Sequence, residues 1–413
     1  MKSTAAVTGR DSGWGSLRAE PYRFLFPLGL VCAAIGIGIW IPYYFLPQNI
    51  PYPGQAHAIL QIQGFLFCFI LGFLMTMIPK VMGVRHLGRA QSLLFPAGIA
   101  TASICVWVNA RHSALAVQAV HLFLIGNFLI FIARRWPHRK GSPPATFAFI
   151  PLAFAADAVG TVLHILIYAD PNGTGFLRGG SLRFASLLQF QAFPLLLILG
   201  IGGFLLPKLF GNALVDPAAL RDQRGNPLIV PLAMGAVLLG SYALEADSGA
   251  SGSGTLVLRL AYLIRTAIWA WFTLGQLRLT GISRKLPPYL AAARLSLFSM
   301  GLGMAMPVVL PAYLLAWEHL IFITGFLWLT LSVAARVVAS HGGSMDALDQ
   351  NRKKYLAYGW LILVAMMSRV ATDIWTGGHW MHLALASAFA LIALGIWGRI
   401  FLPLLLIFPA KKS

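Results

Sequence analysis

The sequence predicts an all-α, polytopic membrane helix bundle of about twelve spans, and three observations predict it. Of 413 residues, 58% are hydrophobic and only 10% are charged. A soluble domain carries about 25% charged residues, so this chain cannot cover a soluble surface and its solvent must be lipid. Apolar runs of about 20 residues, the length that crosses a hydrocarbon core, recur along nearly the whole chain. The basic residues fall between those runs on every second loop.

The runs are 22–45, 57–80, 91–110, 114–133, 146–168, 184–207, 227–246, 255–277, 290–311, 314–338, 355–375 and 380–407. They form one domain, 22–407, between a leader, 1–21, and a tail, 408–413. The third and fourth runs are separated only by Ala110 to Ser113. No cleavable signal peptide is expected, because the first run follows a polar leader and is long enough to span.

The leader holds Lys2, Arg10 and Arg18, with Arg23 just inside the first run. Lys80, Arg85 and Arg89 follow the second run, and Arg134, Arg135, Arg139 and Lys140 the fourth. Lys208, Arg221 and Arg224 follow the sixth, and Arg278, Arg284 and Lys285 the eighth. Arg336, Arg352, Lys353 and Lys354 flank the loop after the tenth, and the tail has Lys411 and Lys412. The opposite face is nearly bare of positive charge, with no Lys or Arg from Leu46 to Ala56 and Glu318 in the turn after the ninth run. The positive-inside rule makes the basic face and both termini cytoplasmic. The net charge of +19 therefore reads as topology-setting charge beside anionic lipid. Nucleic-acid binding, which needs a clustered, water-exposed basic patch, is not expected.

One internal repeat stands out. Gln61, Gln63, Phe65, Ile70, Leu71, Gly72, Pro79, Lys80 and Gly83 recur as Gln189, Gln191, Phe193, Ile198, Leu199, Gly200, Pro207, Lys208 and Gly211. This pairs the second run with the sixth and suggests three units of four helices, with the tenth run as a weakly matching third copy.

Ionisable residues inside a span are costly and mark candidate sites. His57, at the start of the second run, and His319, near the start of the tenth, lie at similar depth near the outer face. His164, closing the fifth run, and His379 and His382, before the twelfth, join them. Two histidines on facing helices can hold a b-type haem as axial ligands, with His164 as an alternative ligand. A c-type haem is not expected, since no C-x-x-C-H occurs. Arg259, Arg265 and Arg369 lie in the outer halves of their spans and are candidate propionate partners, although Arg369 also stands four residues before Asp373 and can simply pair with it. His379 and His382, three apart on one face of a helix start, suit copper or zinc and are a candidate copper pair. His121 reads as a packed polar residue. Asp157, mid-span in the fifth run, is an acid without an evident chain of partners. Cys32, Cys68 and Cys105 read as small buried hydrophobes.

These residues carry a family resemblance. His319, Arg336 and His341-Gly342 resemble the late His…Arg…His-x-Gly block of the NnrS family of bacterial membrane proteins. His57-Ala58, Gly64 and Gly72-Phe73-Leu74-Met75-Thr76 resemble its His-Ala-His-Glu segment and the Gly-Phe-Leu-Leu-Thr that follows. Gly202-Gly203 with Pro207 resembles a Gly-Gly-Arg…Pro stretch. The chain departs from the pattern at Ile59, Leu60, Phe204 and Arg294, where a second His, a Glu, an Arg and a His would fall. The resemblance implies a haem- and copper-containing protein of the bacterial cytoplasmic (inner) membrane, linked to nitric oxide metabolism or nitrosative stress. It gives His341 a place in a motif without a role, and the missing His weakens copper more than haem. The predicted architecture is also similar to the catalytic subunit of haem-copper oxidases. Gln189 and Gln191 stand in the sixth run and no His in the seventh, so no binuclear oxygen-reducing site is expected. Lipid, haem and other respiratory-chain proteins are the expected partners, and electron transfer or a nitric-oxide-related role the expected activity. A cofactor-free transporter and an assembly subunit of a respiratory complex remain as alternatives.

Overall fold

A computed structural model of the chain describes residues 17–107, 110–141, 143–170, 180–211, 228–248, 254–279 and 286–406. The tail, most of the leader and the loop bases Arg221, Arg224, Arg284 and Lys285 lie outside the described residues. All regular structure among the described residues is helical. The principal helices are α1 Tyr22–Phe45, α2 Gly54–Met82, α3 Arg89–Cys105, α4 Ala110–Ala133, α5 Phe149–Ala169, α6 Ser181–Leu209, α7 Ile229–Ser248, α8 Gly254–Gln276, α9 Pro288–Val309, α10 Pro311–His341, α11 Arg352–Ile374 and α12 His379–Leu405.

Eleven stretches are long and apolar enough to cross a membrane, one for each of these helices except α3. At 17 residues, α3 rises only about 26 Å, against a hydrocarbon core of about 30 Å. The expected run to residue 110 stops at Cys105, where the chain turns through Val106 and Trp107. It is nevertheless the return stroke between two parallel helices. The Lys140 amide donates to Met82 O (2.9 Å), and the Arg135 guanidinium to Arg85 O and His86 O, both 2.8 Å. The ends of α2 and α4 therefore lie at one level, and α3 must carry the chain back between them.

The helices pack in chain order around a ring: α4 meets α5, α8 meets α9, and α12 closes on α1. Inside it, α2, α6 and α10 line a common cavity of about 110 Å³. Close approach of α1 to α2 requires glycine. A Cβ on Gly64 would sit 2.8 Å from Cys32 Cβ, and one on Gly72 would sit 2.9 Å from Tyr22 Cα.

The three inner helices are copies of one design. Each carries a widened π-helical segment, beginning at Leu60, Leu188 and Leu320. Each is followed by a glycine in the left-handed region, Gly83, Gly211 and Gly343, with φ of +65°, +68° and +65°. The step from Leu60 to Gly83, from Leu188 to Gly211 and from Leu320 to Gly343 is 23 positions in every case. Thus the third copy, faint in side-chain identity, is present in backbone form. At Gly343 an added Cβ would meet nothing within 4 Å, so only the backbone conformation demands glycine. Gly343→Ala is expected to cost about 1–2 kcal/mol and Gly343→Asn less, read as shifts in thermal unfolding of the purified protein.

Candidate functional site

The C-terminal ends of α1 and α11 and the N-terminal ends of α2, α10 and α12 meet at the seam between the first and third four-helix units. His57 Nδ1–H donates to Gly36 O on α1 at 2.8 Å. His319 Nδ1–H donates to Leu315 O one turn back, also at 2.8 Å. A carbonyl can only accept, so each bond puts the proton on Nδ1 and leaves Nε2 as a bare lone pair. Among the described residues neither Nε2 has a hydrogen-bond partner. This is the tautomer a metal-ligating imidazole needs, fixed by the bond its other nitrogen makes. The two rings interact electrostatically with each other, and both with the Arg369 guanidinium.

Both histidines sit at the threshold of a π-helical segment, His57 three residues and His319 one residue before it begins. Aromatic rings pack around them. Trp40 lies edge-on to His57 at 5.6 Å, Phe322 edge-on to His319 at 5.7 Å, and Tyr43 touches Trp380 on α12. Arg369 also donates to Asp373 at 3.0 Å, so part of its guanidinium is engaged.

The remaining candidates lie elsewhere or are otherwise occupied. His164 donates from Nδ1 to Gly160 O, and its Nε2 accepts from Ser186 Oγ at 3.3 Å. Arg259 is exposed on α8. Arg265 is buried and committed to Glu245, to Ser241 and to the faces of Tyr242 and Tyr262. Of the three arginines, Arg369 is the one beside the two imidazoles. His341 lies at the basic end of α10, where its Nε2 accepts from Lys80 Nζ at 2.8 Å.

His379 Nδ1–H donates to Thr372 O. His379 lines a cavity of about 320 Å³ with Tyr313, Leu315 and Asp373. His382 faces Ser368 and the Trp375 ring instead. Among the described residues no three His, Cys, Asp or Glu side chains gather to hold a metal ion. The pair does not make a copper centre by itself.

The largest polar cluster among the described residues has no local signature in the sequence. Arg183 on α6 bonds Glu245 on α7 and Glu318 on α10. Glu318 also accepts from Gln191 (2.7 Å) and Tyr262 (3.4 Å). Glu318 is therefore buried within α10 rather than exposed in a turn. A second cluster joins Gln63, Gln118 and Gln189 across α2, α4 and α6. His121 and Asp157 pair at 3.0 Å, which gives that mid-span acid its partner.

The model of the NnrS family, described as NnrS protein, matches residues 16–407. The chain belongs to the NnrS family. The match runs through all twelve helices and includes both histidines of the seam. No curated protein matches the chain. Where this NnrS chain departs from the family's pattern, Ile59 and Leu60 are buried at the start of the α2 π segment. Phe204 lies under the Lys208 ammonium at 3.7 Å, and Arg294 packs over Phe298.

Proposed function

We propose that this NnrS-family chain is a multi-pass protein of a bacterial cytoplasmic membrane that binds a b-type haem between His57 and His319. The seam then faces the outer side, with both termini in the cytoplasm. Its role would be electron transfer in nitric oxide metabolism or the response to nitrosative stress. The observation that carries this reading is the matched pair of imidazoles, each with Nδ1–H on a backbone carbonyl and a bare Nε2, beside one shared cation.

His57 and His319 would be the axial ligands, and Arg369 would face a propionate. A haem held there supplies one-electron redox chemistry. The chain's own contribution is to fix both imidazole tautomers and to wall the seam with Trp40, Tyr43, Phe322 and Trp380. The cofactor-free transporter reading expects a polar, water-accessible midplane. Thr330 is the one hydroxyl-bearing side chain that lines the central cavity among the described residues, which favours the haem reading over it.

The test is the optical spectrum of the purified protein. A Soret band that is lost or shifted in both His57→Ala and His319→Ala is expected. A colourless protein, or a band indifferent to both substitutions, sinks the assignment.

A further inference from the structure

We infer that the basic face of the first four-helix unit holds the phosphate of an anionic phospholipid headgroup, between the α2–α3 loop and the end of α4. Residues 21–156 contain nine Lys or Arg and no Asp or Glu. The acid at the edge of this stretch, Glu20, is already engaged by Arg23 and Lys80 and accepts from Tyr22 OH. The α10–α11 connection is different, because Asp346 and Asp349 lie among its bases. Positive charge at the end of the first unit is therefore uncompensated as well as topology-setting.

The loop that carries it is built rather than loose. Arg135 donates from Nε to Arg85 O, from Nη2 to His86 O and from Nη1 to Phe131 O, all within 2.9 Å. Arg18 Nε donates to Leu87 O at 2.8 Å. Two arginines are thus spent on the loop backbone, and they hold Arg85 and Arg134 as exposed cations on either side of Arg135. The Arg135 guanidinium interacts electrostatically with those of both Arg134 and Arg85. Like charges held this close are destabilising unless an anion joins them, and a phosphate accepts from several guanidinium groups at once.

Depth selects a lipid as the source of that phosphate. Trp136, adjacent to this cluster, is 45% exposed and lies under the Arg139 guanidinium at 4.5 Å. An exposed Trp at a helix end marks the headgroup level, where basic pockets between helices take anionic headgroups. His86 does not add charge. Partial burial, then Lys80, Arg135 and Arg18, hold its pKa below the ordinary imidazole value.

The experiment is native mass spectrometry of the full-length protein released from mixed phosphatidylglycerol and phosphatidylcholine bilayers. Phosphatidylglycerol retention at least tenfold above phosphatidylcholine is expected. It should be lost in the Arg85→Ala/Arg134→Ala double variant and kept in Arg85→Lys/Arg134→Lys, which preserves charge and reports on folding. Arg135 and Arg18 are left intact because they hold the loop. Equal retention of the two lipids, or undiminished phosphatidylglycerol on the alanine variant, overturns the proposal. So does binding of inorganic phosphate, added at millimolar concentration, in place of the lipid.

Discussion

Glu245→Leu is expected to destabilise the protein by about 3–5 kcal/mol, the cost typical of removing one partner of a buried ion pair. Arg265 is fully buried on α8, and its carboxylate partner is Glu245. Without Glu245 it keeps Ser241 and two tyrosine faces, none of which neutralises its charge. The reverse substitution, Arg265→Leu, should cost less, because Arg183 still pairs with Glu245. The double variant Glu245→Leu/Arg265→Leu should recover most of the loss, since it leaves Arg183 and Glu318 as a matched pair. Thermal unfolding of the four proteins in one detergent gives the cycle. Additive losses in the double variant would show that the charges are not coupled.

This cluster also shows where sequence reading stopped. The all-α, multi-pass architecture follows from hydropathy, because bilayer thickness acts on short segments, and eleven of the twelve expected runs are helices long enough to span. The repeat of Gln61 to Gly83 in Gln189 to Gly211 is legible because it survives as identities. Its third copy in the tenth run matches only weakly in sequence, because the shared feature is a backbone one: a π segment and a left-handed glycine a fixed distance later. The end of α3 is not legible in the sequence, since apolar residues continue past Cys105 into a turn. Arg183, Glu245 and Glu318 are 62 and 73 positions apart in sequence. No local periodicity pairs residues on α6, α7 and α10, so Arg265 read as a cation awaiting a ligand. His57 and His319 were legible as candidates from depth alone. That both present the same tautomer, and that His164 does not present a bare Nε2, depended on Gly36 O, Leu315 O and Ser186 Oγ.

The histidine pair makes a sharper prediction than the presence of a haem. If the proposed haem is held by both Nε2 atoms, no coordination position would be left open, and the reduced wild-type protein should bind carbon monoxide poorly. Removing either imidazole opens one coordination position. His57→Ala and His319→Ala should each raise carbon monoxide binding by at least tenfold, and added imidazole should reverse the change by refilling the vacated position. The double variant should fail to retain haem. His164→Ala should leave the spectrum unchanged, because the His164 ring is closed at Nδ1 by Gly160 O and at Nε2 by Ser186 Oγ. Arg369→Gln should retain the band while shifting the midpoint potential, because it removes the cation that acts electrostatically on both imidazoles. Carbon monoxide binding that is already full in the wild type would mean that one of the two histidines is not a ligand. A spectrum altered by His164→Ala would move the site from the seam of the first and third units to the second.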